Sequence, residues 1–186
     1  KENKFNDEIV NFKIKSKNAE INFNKDEHPR EGSNLVSLTR LKPVFKKNGT
    51  VTAGNSSGIN DGAAAVVLMT SEEVKKRNIE ELVSIKSWAS CGVDPSLMGT
   101  GPIPSSKKAL ELAGWSINDV DLFEINEAFA AQVIGCKKAF ADKEFCKKNF
   151  NMSEPFGKID DKILNVNGGG VALGHPVGMS GTRIII

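Results

Sequence analysis

Several absences narrow this sequence before any motif is read. It has no C-x-x-C pair. Its three cysteines, at 91, 136 and 146, are odd in number, which argues against a disulfide framework and fits a reducing compartment. They do not combine with His28 or His175 at a spacing that suits structural zinc. Charge of one sign is also missing: 25 basic against 23 acidic residues leave +2, no electrostatic case for nucleic acid or a membrane surface. The lysine-dense stretches, Lys13 to Lys17 and Lys46-Lys47, read as solvated surface. No apolar run approaches the roughly 18 residues that a membrane span needs, so a soluble chain is expected. The first residues, Lys-Glu-Asn-Lys-Phe-Asn-Asp-Glu, form neither a signal peptide nor an Arg-rich transit peptide. With 186 residues, 39% of them hydrophobic, the chain can hold one ordinary domain or two small ones.

What is present concentrates in one stretch, Asn165-Val166-Asn167-Gly168-Gly169-Gly170-Val171-Ala172-Leu173-Gly174-His175-Pro176-Val177-Gly178-Met179-Ser180-Gly181-Thr182-Arg183. Ile163, Leu164 and Val166 before the glycines read as a short buried strand. The glycines permit positive φ and close approach. His175 then stands between Gly174 and Pro176, where proline restricts the preceding residue to extended geometry. A helix opening with the small residues near Met179-Ser180-Gly181 should follow. Neither the lysine and Ser/Thr of a P-loop nor G-x-G-x-x-G spacing accompanies these glycines, so they do not read as a phosphate cradle.

The remaining pattern is that of an α/β fold. Alternating Ile9, Phe12, Ile14 and Ile21, Phe23 suggest two short strands around Ser16-Lys17-Asn18. Leu35, Leu38 and Leu41 fall at helical spacing, and Pro43 should end that helix. Ala63 to Thr70 reads as a strand buried on both faces. Ser71-Glu72-Glu73 caps a helix whose last turn carries Lys75-Lys76-Arg77, matching the helix dipole. A further strand over Leu82 to Ala89 completes a βαβ pattern. Ser105 caps a helix closed by Gly114, and Val120 to Ile125 is the next strand, with Asn126 at its carboxyl end, where open α/β sheets place ligands. Phe129, Val133, Cys136 and Phe140 form the apolar stripe of a helix, which makes Cys136 a packing residue. Residues 142–161 turn polar and irregular and read as an insertion at a surface loop.

The stretch around His175 resembles the histidine block of the thiolases. Two more blocks resemble that family in order: Gly54-Asn55-Ser56-Ser57-Gly58-Ile59-Asn60-Asp61-Gly62-Ala63-Ala64 and Asn126-Glu127-Ala128-Phe129-Ala130. Met98-Gly99-Thr100-Gly101-Pro102 is most similar to the short-chain, acetyl-CoA-using type. The resemblance implies a layered α/β thiolase fold, here incomplete, about half of the two-fold repeated βαβαβαββ unit. Residues 1–59 would be the end of a CoA-covering loop domain, 60–80 the last strand and helix of the N-terminal domain, and 81–186 a truncated C-terminal domain.

It also implies roles. His175 and Asn126 would be catalytic, forming one oxyanion site, with Asn126 acting through a water. Arg30, Ser37, Ser57, Met98 and Phe129 would contact coenzyme A or its acyl group, Arg30 by the nucleotide, Ser57 at the pantetheine and Met98 closing the acyl pocket. Coenzyme A is then substrate and product; no tightly bound cofactor and no metal are implied. The activity would be condensation of two acetyl-CoA to acetoacetyl-CoA, or the reverse, in a cytoplasmic or mitochondrial homodimer or homotetramer. The family's nucleophilic cysteine and its Cys-x-Gly acid/base turn have no counterpart among Cys91, Cys136 and Cys146, so a fragment, inactive alone, is expected. A non-catalytic acyl-CoA or lipid carrier on the same fold would need no cysteine. A ketoacyl synthase would carry histidine in place of Asn126.

Overall fold

Alternation in the first strands builds a hairpin with two unlike faces. Strand β1 (Phe12–Lys15) pairs antiparallel with β2 (Glu20–Phe23), with Phe12 opposite Phe23 and Ile14 opposite Ile21. A side-chain period of two puts these four apolar residues on one face and Lys13, Lys15, Glu20 and Asn22 on the other. The computed structural model describes residues 4–17 and 19–186. Asn18 of the expected turn lies outside the described residues.

Helix α1 (Leu35–Thr39) starts at Asn34, whose side chain accepts from the Ser37 amide while the Ser37 hydroxyl accepts from the Asn34 amide. It ends at Arg40, before Pro43, which instead pairs with Thr52. Helix α2 (Ser71–Arg77) is capped by Thr70 rather than Ser71: the Thr70 hydroxyl accepts from the Glu73 amide. Acids in its first turn and bases in its last lie as the dipole favours.

The core forms later in the chain. Helix α3 (Pro102–Ala113) begins at Pro102, a residue pre-set for the first turn, and not at Ser105, whose hydroxyl bonds back to Gly101 O within that turn. Gly114 closes it at φ +71°. Helix α4 (Ala130–Ala141) buries Val133, Cys136, Ala139 and Phe140. Ile103, Ile117 and Ile159 complete the buried cluster with Cys136, Ala139 and Phe140. Fully buried side chains the size of Phe140 and Ile103 each contribute about 1.5–3 kcal/mol.

Residues 142–161 are more ordered than their polarity suggests. They contain helix α5 (Lys143–Phe150), capped by Asp142, with Cys146 buried and Phe145 and Phe150 against the core. The helical spacing of these three apolar residues is masked by the lysines between them. Ile159, fully buried, ties the end of the segment to the cluster.

The expected strands fare differently. Phe123 alone pairs, in parallel, with Leu164, where the Phe123 amide donates to Ile163 O and the Asn165 amide to Phe123 O. The buried strand expected at 163–166 is therefore one bridge after a 3₁₀ turn (Asp161–Ile163). Ala63 to Thr70 and Leu82 to Ala89 form no sheet pairing, and most of their apolar side chains face solvent. Composition marks such a strand as suited to burial on two faces, but the neighbours that pair with it must come from elsewhere. Among the described residues, no helix is long and apolar enough to cross a membrane.

Candidate functional site

Three segments meet around His175. Helix α6 (Gly170–Leu173) ends at Gly174, which adopts φ +90°; a methyl group there would collide with the side-chain amide of Asn60. The His175 amide donates to Gly58 O and to Asn60 Oδ1, both at 3.3 Å, and Ile59 pairs with His175 in parallel. Behind it, Arg183 of helix α7 (Val177–Arg183) donates from Nη2 to Gly174 O at 2.8 Å. The imidazole thus stands on a backbone fixed from both sides, and it is half-buried.

Asn126 reaches the same point from the end of the 120–126 segment. Its Nδ2 lies 3.3 Å from His175 Nε2 and 3.4 Å from Nδ1. An amide nearly equidistant from both ring nitrogens does not lie along one lone pair; it packs on the ring. Its Oδ1 is buried and has no hydrogen-bond partner among the described residues, as is Gln132 Oε1. A buried amide oxygen costs about 1–3 kcal/mol when unpaired, which makes it a ready acceptor for water or ligand.

The loop carrying Asn126 is clamped to the glycine stretch by two residues that sequence reasoning did not single out. Asn165 uses its side chain like a strand partner: the Ile125 amide donates to Asn165 Oδ1 at 2.8 Å, and Asn165 Nδ2 donates to Ile125 O at 2.9 Å. The same Nδ2 donates to Glu127 Oε1, and Glu127 Oε2 accepts from the Val171 amide. A methyl on Gly169 would collide with that carboxylate. Glu127 therefore joins Asn126's loop to the first turn of α6, satisfying an amide left open at the helix start.

Beside Asn126 runs an open cleft of about 700 Å³, lined by Met98, Gly99, Ser105, Asn126, Phe129 and Gln132 among others. Glu124, also at this cleft, has its carboxyl pushed above the usual carboxylate range, by desolvation first and then by the negative charge of Glu127. Ser57 adjoins through its amide, which donates to Ala128 O, and Ser56 pairs with Phe129. The structure thus gathers Asn126, His175, Ser57, Met98 and Phe129. Arg30 and Ser37 are exposed and remain apart. They border the group through neighbours: His28 packs against Gly58, and Leu38 against Gly54.

Among the described residues, no cysteine is hydrogen-bonded to the imidazole. Cys136 donates to Gly99 O, and burial pushes its thiol above the ordinary value; Cys146 donates to Ala139 O. Among the residues sequence reasoning passed over, Ser180 is the most intimate with the imidazole: its Oγ lies 2.6 Å from His175 Nδ1. Ser180 lies in the same stretch as the histidine, but His175 precedes α7 and the separation of five residues is not a helical spacing, so periodicity did not mark the pair. No signal marked Gln132.

Comparison with known proteins places the whole chain beside one family. The family model described as thiolase, C-terminal domain, matches residues 79–186, and that described as thiolase, N-terminal domain, matches residues 1–72. The chain is 50% identical to acetyl-CoA acetyltransferase of Rhizobium meliloti over 100% of its own length and 43% of that protein's. It superposes on the crystal structure of the Bacillus anthracis acetyl-CoA acetyltransferase with a TM-score of 0.82 at 44% identity, covering 98% of this chain and 42% of the other. For human mitochondrial 3-ketoacyl-CoA thiolase in complex with CoA the TM-score is 0.74 at 44% identity, covering 88% and 37%. The chain spans less than half the length of the curated relatives it matches.

Proposed function

The chain belongs to the thiolase family, and on that premise we propose that the polypeptide carrying it condenses two acetyl-CoA molecules to acetoacetyl-CoA and CoA, or runs the reverse thiolysis. The observation that carries this reading is the apposition of the Asn126 amide and the His175 imidazole, 3.3 Å apart from positions 49 residues apart, beside an open cleft.

In acyl transfer the thioester oxygen becomes negative as the carbon is attacked, and catalysis needs donors fixed where that charge appears. His175 donates to it directly. Asn126 acts through a water, for which its buried, unpartnered Oδ1 supplies an acceptor. The same ring hydrogen supports acylation, donating to the attacking sulfur once it is a thiolate. That thiol and a second acid/base thiol come from outside these residues, and the 186 residues alone carry no thiolysis. Coenzyme A lies with its pantetheine at Ser57, whose hydroxyl has no partner among the described residues, and its nucleotide toward exposed Arg30, whose guanidinium suits phosphate and adenine. The Ser37 hydroxyl is engaged in its helix cap, which limits Ser37 to packing contact. Met98 and Phe129 bound the acyl end of the cleft.

The test separates the two half-reactions in a polypeptide of the relatives' full length, by trapping the acyl-enzyme in a burst and then supplying a second acetyl-CoA. His175→Ala should slow both acylation and condensation. Asn126→Ala should slow mainly condensation, by about 10²-fold, as for loss of other oxyanion donors. Intact rates of both steps in His175→Ala would overturn the assignment of His175, whereas the absence of any acylation burst in the unmutated full-length polypeptide would leave the carrier reading.

A further inference from the structure

The Ser180 hydroxyl lies 2.6 Å from His175 Nδ1 and 3.0 Å from Pro176 O, with only 1% of the residue exposed. It carries one hydrogen, which can go to only one of these neighbours. Pro176 O already accepts two backbone amides, those of Met179 and Ser180, each at 2.9 Å. A carbonyl has two lone pairs, so a third donor there gains little. The ring nitrogen, closer and with no other protein donor than the Asn126 amide packed on its face, is the better acceptor.

We propose that Ser180 is a positioning residue that donates to His175 Nδ1 and so holds the neutral imidazole in its Nε2–H tautomer, with Nε2 turned to the reacting thioester. This rests on the reading of His175 as the oxyanion donor. In that tautomer the ring presents a hydrogen where negative charge develops. When the ring gains a proton, Nδ1–H becomes a donor, and the hydroxyl can accept it by rotating its own hydrogen to Pro176 O. No heavy atom moves in this exchange, because both partners are already within hydrogen-bond distance. A carboxylate in this position could only accept, and would fix the opposite tautomer.

The experiment is a long-range ¹H–¹⁵N spectrum of His175 near neutral pH in the full-length polypeptide, taken with kcat and KM for acetoacetyl-CoA. The wild type should show a protonated Nε2 and an unprotonated Nδ1. Ser180→Ala should average the two nitrogen signals and lower kcat about tenfold, the lower end for loss of a residue that orients a functional histidine, with KM little changed. Ser180→Thr, which keeps the hydroxyl, should restore both. A wild-type spectrum showing Nδ1–H or averaged nitrogens overturns the proposal, as does an unchanged nitrogen pattern in a folded Ser180→Ala. If Ser180→Ala does not fold, the wild-type and Ser180→Thr spectra decide by the same signals. Full activity of His175→Ala would remove the oxyanion reading instead, while the nitrogen signals would still report whether Ser180 sets the tautomer.

Discussion

Glu124 and Glu127 stand three positions apart on the same loop and have opposite circumstances. Glu127 is clamped by Asn165 and the Val171 amide, whereas the Glu124 carboxyl makes no hydrogen bond among the described residues. Desolvation and its neighbour's charge therefore raise the Glu124 pKa, so the folded state keeps this proton after the unfolded chain has lost it. With a raised carboxyl pKa, stability falls as pH rises from the ordinary carboxylate range through the folded value, and the penalty stays constant above it. Glu124→Gln should accordingly raise the unfolding midpoint at pH 7 and have less effect near pH 3, where the carboxyl is mostly protonated in both states. Partial exposure keeps the gain small, and equal midpoints at pH 7 would discount the penalty. Sequence brought out His175 and Asn126 because the blocks around them resemble those of the thiolases in order, with His175 between Gly174 and Pro176 and Asn126 at the end of an expected strand. It did not show that Glu127 and Asn165 would clamp the two together, because that pairing joins residues 38 apart and exists only after folding.

At the scale of elements, local chemistry was legible where short-range signals govern and was lost where long-range pairing does. The dipole-matched α2 and the apolar stripe of α4 follow from neighbours within a few residues, and both appear as read. Segment 142–161 was obscured because five of the first eight residues of its helix are charged or amide side chains, while its anchors, Cys146 and Ile159, are spaced irregularly. Asp142 is the hinge between α4 and α5: it ends one helix, and its carboxylate accepts from the Phe145 amide at 2.8 Å to start the next. Asp142→Ala should cost about 1 kcal/mol in urea unfolding, and Asp142→Asn, which also accepts a hydrogen bond, much less. Equal losses for the two would place the effect in charge and not in the cap. The strands expected at Ala63 to Thr70 and Leu82 to Ala89 fail for the converse reason: apolar, β-branched content favours a sheet, but a ladder needs a second chain segment alongside.

The whole molecule shows what those unpaired segments mean. Its accessible surface is 14,634 Å². A folded monomer of its 20.1 kDa would expose ~8,700 Å² by the usual mass scaling, so the chain exposes roughly two-thirds more. Much of the excess is apolar: Val67 is 86% exposed, Leu82 92% and Trp88 79%. The buried cluster involves α3, α4 and the residues after them, so the two halves of the chain differ in stability, with cooperative structure around Phe140 and little to hold residues 62–70 and 80–92. Among the described residues, 62–69 and 80–92 carry no backbone–backbone hydrogen bond, and open sheet-forming segments invite association between copies. For the 186 residues expressed alone, amides of Val66 to Met69 and Val83 to Trp88 should exchange at nearly unprotected rates, while those of Cys136 to Phe140 are slowed. The same preparation should bind a hydrophobic dye and sediment as concentration-dependent oligomers. In a polypeptide of the relatives' full length, both stretches should become protected and dye binding should fall. A monomeric, dye-silent 186-residue chain with slow exchange at Val67 and Leu82 would mean that these segments find partners within the chain itself, and that its exposed surface is far smaller than this structure shows.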